Sequence, residues 1–163
     1  MSTPTHAAPL EWAQRLRALP AEVRAVVEPL DDRAQRARPA PGEWSVIEIL
    51  GHLVDKLELW RERVDRIVRE ERPFLPGYDQ DASVRDRGYQ SANGTALLAA
   101  VADACERFAV TTAALSEDML AREGVHGEMG RITLRDCVAM PVEAATAHLA
   151  QMRAAIAEAT RPP

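Results

Sequence analysis

Histidines are the residues of this sequence best suited to chemistry, and the chain has four of them: His6, His52, His126 and His148. A neutral imidazole can bind a metal or act as a general acid or base near neutral pH. His6 lies in a short N-terminal stretch without a helical pattern, so we discount it. His148 lies at the edge of the apolar stripe of one predicted helix, and His52 lies on a flank of another. The pattern alone leaves two interpretations open: metal ligands, or half-buried histidines that each make one hydrogen bond.

No other group of residues predicts a nucleophile. Cys105 and Cys137 are far apart and form no CxxC motif, so we expect two buried thiols in a reducing compartment. Neither has a base nearby in the sequence, and no Ser-His-Asp set is evident. His126 lies in a glycine-rich loop, where we expect it to face solvent or to bond to the backbone.

Two predicted helices must position the histidine pair. Over 45–71, apolar residues recur at steps of three and four, and Ser45 with Glu48 forms a capping box at the start. The last helix is predicted over 133–160, where Thr133 and Asp136 form a similar pair. Pro141 lies inside this helix and is expected to kink it.

The remaining segments complete an all-α fold. Segment 9–38 predicts a first helical arm, interrupted where Pro20 could begin a new helix, and 95–115 predicts another long helix. Prolines, glycines and weak periodicity over 72–94 predict a long crossover loop, with room for a short helix. No segment alternates apolar and polar residues, so no sheet is expected. We therefore predict a flexible tail at 1–8 and one up-and-down four-helix-bundle domain over 9–160.

Two stretches resemble the DinB/YfiT-like family. In PGEWSVIEILGHL (41–53), a Trp-Ser pair precedes a helix, and a histidine follows the serine by seven residues. In 126–152, a glycine loop and a Thr-Leu helix start are followed by His148 and a Leu-x-Gln sequence. The resemblance implies a four-helix bundle, commonly dimeric, with a divalent metal held by three histidines. It also implies similarity to metal-dependent thiol S-transferases and isomerases that use a low-molecular-weight thiol.

One histidine of that family site is missing here. By position, His52 matches the first ligand and His148 the last, whereas the middle position, one turn before His148, holds Ala144. Alanine has no donor atom for a metal. Glu48 could be a substitute ligand, although the capping box already engages it, and Asp55 is a second candidate carboxylate. Such a site would hold one divalent metal, zinc, nickel or manganese, weakly or not at all.

Composition excludes several functions. The chain has 20 Lys and Arg against 25 Asp and Glu, a net charge of -5, and its arginines are interleaved with acids. A nucleic-acid-binding surface would be a basic stripe without acids, so no nucleic-acid binding is expected. Met1 to Pro9 has no signal-peptide pattern, and no stretch is apolar enough to span a membrane. A cytoplasmic protein without membrane contact is therefore expected.

Three functions fit these observations. The first, favoured by Ala144, is a DinB-like module that binds a small molecule, such as a low-molecular-weight thiol, or mediates a dimeric interaction, with a homodimer expected. The second, favoured by the presence of both His52 and His148, is a metal-dependent enzyme, a thiol S-transferase or hydrolase, with an atypical two-histidine site. The third is a structural bundle whose histidines are ordinary core residues.

Overall fold

A computed structural model describes residues 7–161, which form six α-helices and three short strands. The helices are α1 (Ala7–Val27), α2 (Asp32–Arg36), α3 (Val46–Arg69), α4 (Gln80–Asp86), α5 (Gly94–Ala113) and α6 (Leu134–Ala159). The strands are β1 (Phe74–Leu75), β2 (Glu123–His126) and β3 (Gly130–Thr133). Two 3-10 turns lie at Tyr89–Ser91 and Glu117–Ala121.

The four long helices form the bundle, which confirms the predicted mostly helical four-helix fold. Helix α1 packs on α5 and α6, and α3 packs on the same two helices. The order round the bundle is therefore α1, α5, α3, α6, and the consecutive long helices α1 and α3 lie diagonally. The prediction of an up-and-down bundle did not specify which helices are neighbours. It places α3 beside α6, the two helices that carry the histidine pair.

Both capping boxes predicted from the sequence are present. At the start of α3, the Ser45 hydroxyl and the Glu48 carboxylate each bond to the other residue's backbone N–H. Thr133 and Asp136 do the same at the start of α6. These reciprocal bonds satisfy amides that a helix start otherwise leaves unpaired.

Helix α1 differs from the prediction in where it begins and in its course through Pro20. It begins at Ala7, inside the predicted tail, whose residues 1–6 lie outside the described part of the chain. It also runs through Pro20, so the predicted place of the break was wrong; the arm over 9–38 is interrupted instead between α1 and α2, at 28–31. Its buried face, from Ala13 to Val27, continues on both sides of the proline. Packing of that face outweighs the one hydrogen bond that a proline removes.

The expectation of no sheet was also wrong. Strand β1 pairs in parallel with β2, which pairs antiparallel with β3. None of these strands exceeds four residues, which is too short to produce a clear alternation in the sequence. Strand β3 ends at Thr133, the cap of α6, so the sheet fixes where α6 begins.

The crossover at 72–94 contains β1, α4 and a 3-10 turn, and it is fastened to α3. The Tyr89 ring lies against Gly51, where an added Cβ would come within 2.2 Å of the ring. The Tyr89 hydroxyl donates to Asp55 at 2.7 Å, and the Ser83 hydroxyl donates to the same carboxylate at 3.2 Å. Arg87 pairs with it at 3.3 Å. No side chain larger than that of glycine fits at position 51, because Tyr89 of the crossover packs against the backbone there.

Candidate functional site

The packing of α3 on α6 brings His52 and His148 together. Their ring centroids are 4.8 Å apart, and the rings meet edge to face at an interplanar angle of 79°. His52 is fully buried, whereas His148 is half-buried. Two residues that are far apart in the sequence thus form one imidazole pair inside the bundle.

The ring nitrogens of this pair are mostly unsatisfied. Neither nitrogen of His52 has a hydrogen-bond partner within residues 7–161, and Nε2 of His148 has none either. Nδ1 of His148 bonds to Oε1 of Gln151 at 3.0 Å. With the amide oxygen facing the ring, Nδ1 carries the proton and Nε2 keeps its lone pair. The pair therefore presents buried lone pairs and an N–H group to a partner that the protein does not supply.

Both imidazoles are held neutral. Burial, then the repulsion that a protonated His148 would exert, then the charge of Lys56 lower the pKa of His52 to about 3. Burial also lowers the pKa of His148, against the effect of its bond to Gln151, and Lys56 lowers it further. A neutral imidazole is the form that accepts a hydrogen bond or binds a metal.

Glu48, the proposed substitute ligand, is committed to other partners. Its Oε2 accepts bonds from the Ser45 amide at 2.9 Å, the Ser45 hydroxyl at 3.1 Å and Nε of Arg38 at 3.0 Å, and Arg38 also bonds to Oε1. Burial raises the pKa of Glu48, but the bonds from Arg38 and Ser45 outweigh it, so the pKa lies below its ordinary value. The carboxylate is thus ionised and already has partners at both oxygens.

The side chains present do not supply the three-donor set that the family resemblance implies. Asp55, the other candidate carboxylate, is held by the crossover, and Ala144 lies half-buried without a donor. Within residues 7–161, no group of three or more His, Cys, Asp or Glu is arranged to hold a metal ion. Catalytic zinc sites commonly use three protein ligands, and this site offers two. The residues therefore do not fit the family's usual metal.

Lys56 is a member of the site that sequence reasoning missed. It follows His52 by one helical turn, so the two residues lie on the same face of α3. Its side chain is half-buried, and this burial lowers the pKa of its amine. The spacing of Glu48, His52 and Lys56 at intervals of four was visible in the sequence and could have indicated this position.

A cleft of about 640 Å³ lies beside the histidine pair. It is formed by the 39–44 loop, the start of α4 and the end of α6. Trp44, one of its lining residues, has its ring 4.8 Å from the His52 ring, and Gln151, another, holds His148. Trp44 therefore packs against the site as well as lining the cleft. The histidines do not line this cleft themselves, but each contacts one of its lining residues.

The other candidate residues are structural. Cys105 and Cys137 are fully buried, and burial raises the pKa of each thiol to about 12, so both stay protonated. His126 is buried, and its Nδ1 accepts bonds from the backbone of Glu128 at 3.1 Å and of Met129 at 3.3 Å. Of the two alternatives for His126, bonding to the backbone is thus confirmed. His6 lies outside the described residues.

The fold and site together define a four-helix bundle with a histidine pair between two of its helices. The family model of the DinB superfamily matches residues 15–152, and the chain belongs to that superfamily. The structure is similar to that of YfiT from Bacillus subtilis, with a TM-score of 0.84 and 22% sequence identity over 94% of this chain and 89% of that one. YfiT is described as a probable metal-dependent hydrolase with an unusual four-helix bundle topology. At this identity the likeness shows the fold alone, and no curated protein matches the sequence.

None of the helices within residues 7–161 has the length and apolar character needed to cross a membrane.

Proposed function

We propose that this chain is a small-molecule-binding member of the DinB superfamily, with its ligand in the cleft beside Trp44. The observation that carries the proposal is the contact of the unsatisfied histidine pair with Trp44 and Gln151, two residues that line that cleft. Ligand sites are typically concave and contain a few convergent polar groups, and this cleft has the usual size.

The unpaired nitrogens of His52 support a binding role. Buried polar groups are nearly always hydrogen-bonded, and an unsatisfied one costs on the order of 1–3 kcal/mol. His52 has two such atoms in a fully buried ring. A bound molecule that reaches the pair would satisfy these nitrogens.

The donor set argues against a strong metal site. Glu48 and Asp55 are engaged elsewhere, and position 144 offers no ligand. In addition, the ammonium of Lys56 acts on both imidazoles and would repel a divalent cation placed between them. The missing donor at position 144 and the positive charge of Lys56 both lower metal affinity.

A second candidate function is metal-dependent hydrolysis or thiol transfer at a two-histidine site. It is favoured by the bond between Nδ1 of His148 and Gln151, because metal-binding imidazoles usually have their other nitrogen held in this way. In this case His52 and His148 would hold the ion. A bound divalent metal would supply Lewis-acid chemistry. The description of YfiT as a probable metal-dependent hydrolase also supports this candidate.

Metal content distinguishes the two candidates. The untagged protein is incubated separately with zinc, nickel and manganese, dialysed, and analysed by mass spectrometry of the elements. We expect far less than one metal per chain, and no difference between the wild type and the His148→Ala variant. Retention of about one metal per chain, lost in both His52→Ala and His148→Ala, would establish the second candidate and refute the first.

A further inference from the structure

The cleft beside Trp44 has a one-sided charge. Its charged lining residues are three carboxylates, Glu43, Asp81 and Glu158, and among the described residues no Lys or Arg lines it. Glu158 pairs with Arg161 at 3.1 Å. Glu43 and Asp81 form no ion pair with any residue of 7–161, although most arginines of that region are engaged by acids. Two free carboxylates therefore face the same cavity.

The tryptophans of this chain give an independent observation. In two of the three, an arginine lies over the indole: Arg63 is 4.4 Å from the ring centroid of Trp60, and Arg135 is 5.6 Å from that of Trp12. Trp44 has no such cation within the described part of the chain. An indole face is the best side-chain partner for a cation. The tryptophan without an internal cation is thus the one that lines the acidic cleft.

The neighbouring positive charges do not satisfy this cleft. A smaller adjoining cleft of about 350 Å³ shares Glu43, Trp44 and Asp81 and is also lined by Arg38 and Arg85. Arg38 is paired with Glu48, and Arg85 is paired with Asp86 at 3.2 Å. Both arginines therefore have acidic partners of their own.

Lys56 restricts where a ligand's positive charge can lie. It lies one helical turn from His52 on α3 and does not line the cleft. Like charges repel most strongly in a buried, low-dielectric environment. A cationic group would therefore stay at the outer carboxylates and would not enter the space between the histidines.

From this arrangement we infer that the cleft binds an organic cation, a small molecule with a protonated or quaternary amine, with its charge held by Trp44, Glu43 and Asp81. The inference rests on the proposed function, because it names the ligand class of the same cleft. The carboxylates supply the charge complement, and the indole supplies a face that favours a poorly hydrated ammonium. A large alkylammonium group fits this pairing better than a metal ion, since it requires no set of fixed donor atoms.

Three probes of nearly the same shape and different charge test this inference. Choline is the cation, 3,3-dimethyl-1-butanol is its neutral counterpart, and 3,3-dimethylbutyrate is the anion. Each is titrated into 15N-labelled protein, and the indole N–H signal of Trp44, assigned with Trp44→Phe, is followed by NMR. We expect a saturable shift with choline, binding weaker by about tenfold or more with the neutral probe, and no shift with the anion.

A charge-matched pair of double variants identifies the carboxylates responsible. Glu43→Gln with Asp81→Asn removes the two free acids of the cleft, both exposed. Glu11→Gln with Asp103→Asn removes two exposed acids that do not line it, so the net charge changes equally. The first variant is expected to weaken choline binding by about tenfold, and the second to leave it unchanged. Thermal unfolding of both variants verifies that they fold.

The outcomes separate the two levels of the proposal. If the neutral or anionic probe binds at Trp44 as well as or better than choline, the cationic class is wrong and the cleft remains a small-molecule site. If choline binds equally to both double variants, the carboxylates do not select the ligand and the inference is overturned. If none of the three probes shifts the Trp44 signal, both the inference and the cleft as the ligand site are refuted.

Discussion

Lowering the pH from 7 to 5 is expected to destabilise the fold through His52. Its pKa is about 3 in the folded chain, against an ordinary value of 6.5. The unfolded chain therefore binds a proton below pH 6.5, while the folded chain does not. Protonation of His52 therefore does not affect the free energy of unfolding above pH 6.5, and it lowers that free energy progressively as the pH falls from 6.5 towards 3.

The size of the effect follows from the width of this pH window. Each pKa unit corresponds to about 1.36 kcal/mol, so the 1.5 units between 6.5 and 5 amount to about 2 kcal/mol. For a chain of 163 residues, this lowers the melting temperature by about 4–8 °C. The pKa of Glu48 is shifted below its ordinary value, so its own contribution is lost only at lower pH. The window from pH 7 to 5 thus isolates the histidines.

Urea unfolding at pH 7, 6 and 5 measures this loss in the wild type and in His52→Phe and His52→Gln. Both variants remove the titrating ring, and their new side chains differ in size and polarity. An effect seen in both variants therefore comes from the loss of the imidazole, whereas an effect seen in one comes from packing. We expect the free energy of unfolding to fall by about 2 kcal/mol less in the variants than in the wild type between pH 7 and 5. The same pH dependence in all three proteins would refute the assignment of this loss to His52.

Other predictions concern the missing ligand, the crossover and the assembly. Ala144→His should complete a three-histidine set and raise retained zinc towards one ion per chain by elemental analysis, whereas Ala150→His should not, because position 150 lies on another face of α6. Asp55→Asn should weaken the bonds that hold the crossover, increase amide exchange over 78–91 and lower the free energy of unfolding by about 1–3 kcal/mol; unchanged exchange would contradict it. Gly51→Ala should lower the free energy of unfolding in urea by a similar amount, because the added Cβ would clash with the Tyr89 ring. Light scattering should give twice the 17.9 kDa chain mass if the expected homodimer forms, and the single mass would exclude it at that concentration.

Local sequence signals predicted the elements that carry the histidines. The apolar steps of α3 and α6 and the two capping boxes are all contained within one helix, so each could be recognised without knowledge of the fold. The continuation of α1 through Pro20 could not be predicted in this way, because it depends on packing against other helices. The small sheet was missed because its strands are very short and β1 pairs with a segment about 50 residues further along the chain.

The site was predictable only in part for the same reason. The family resemblance indicated His52 and His148 and the absence of a donor at Ala144, and the structure places the two histidines side by side. The cleft joins the 39–44 loop, the start of α4 and the end of α6, which are distant in the sequence. No local sequence pattern relates these three segments, so neither the cleft nor the position of Trp44 in its lining could be predicted without the folded structure.

The charges around the histidine pair, as well as the missing donor at position 144, bear on whether a metal binds there. On the inner side, Lys56 adds a positive charge beside two imidazoles that are held neutral. On the outer side, Glu43 and Asp81 add negative charges that no residue of 7–161 pairs with. A divalent ion at the histidines would meet twice the repulsion from Lys56 that a monovalent cation meets, whereas an organic cation in the cleft would lie beside the unpaired carboxylates of Glu43 and Asp81. If Ala144 alone excluded metal, restoring a histidine there would be sufficient for tight binding. If the charge of Lys56 also contributes, Ala144→His should bind zinc more tightly when combined with Lys56→Met than by itself, and equal affinities would assign the whole difference to the missing donor.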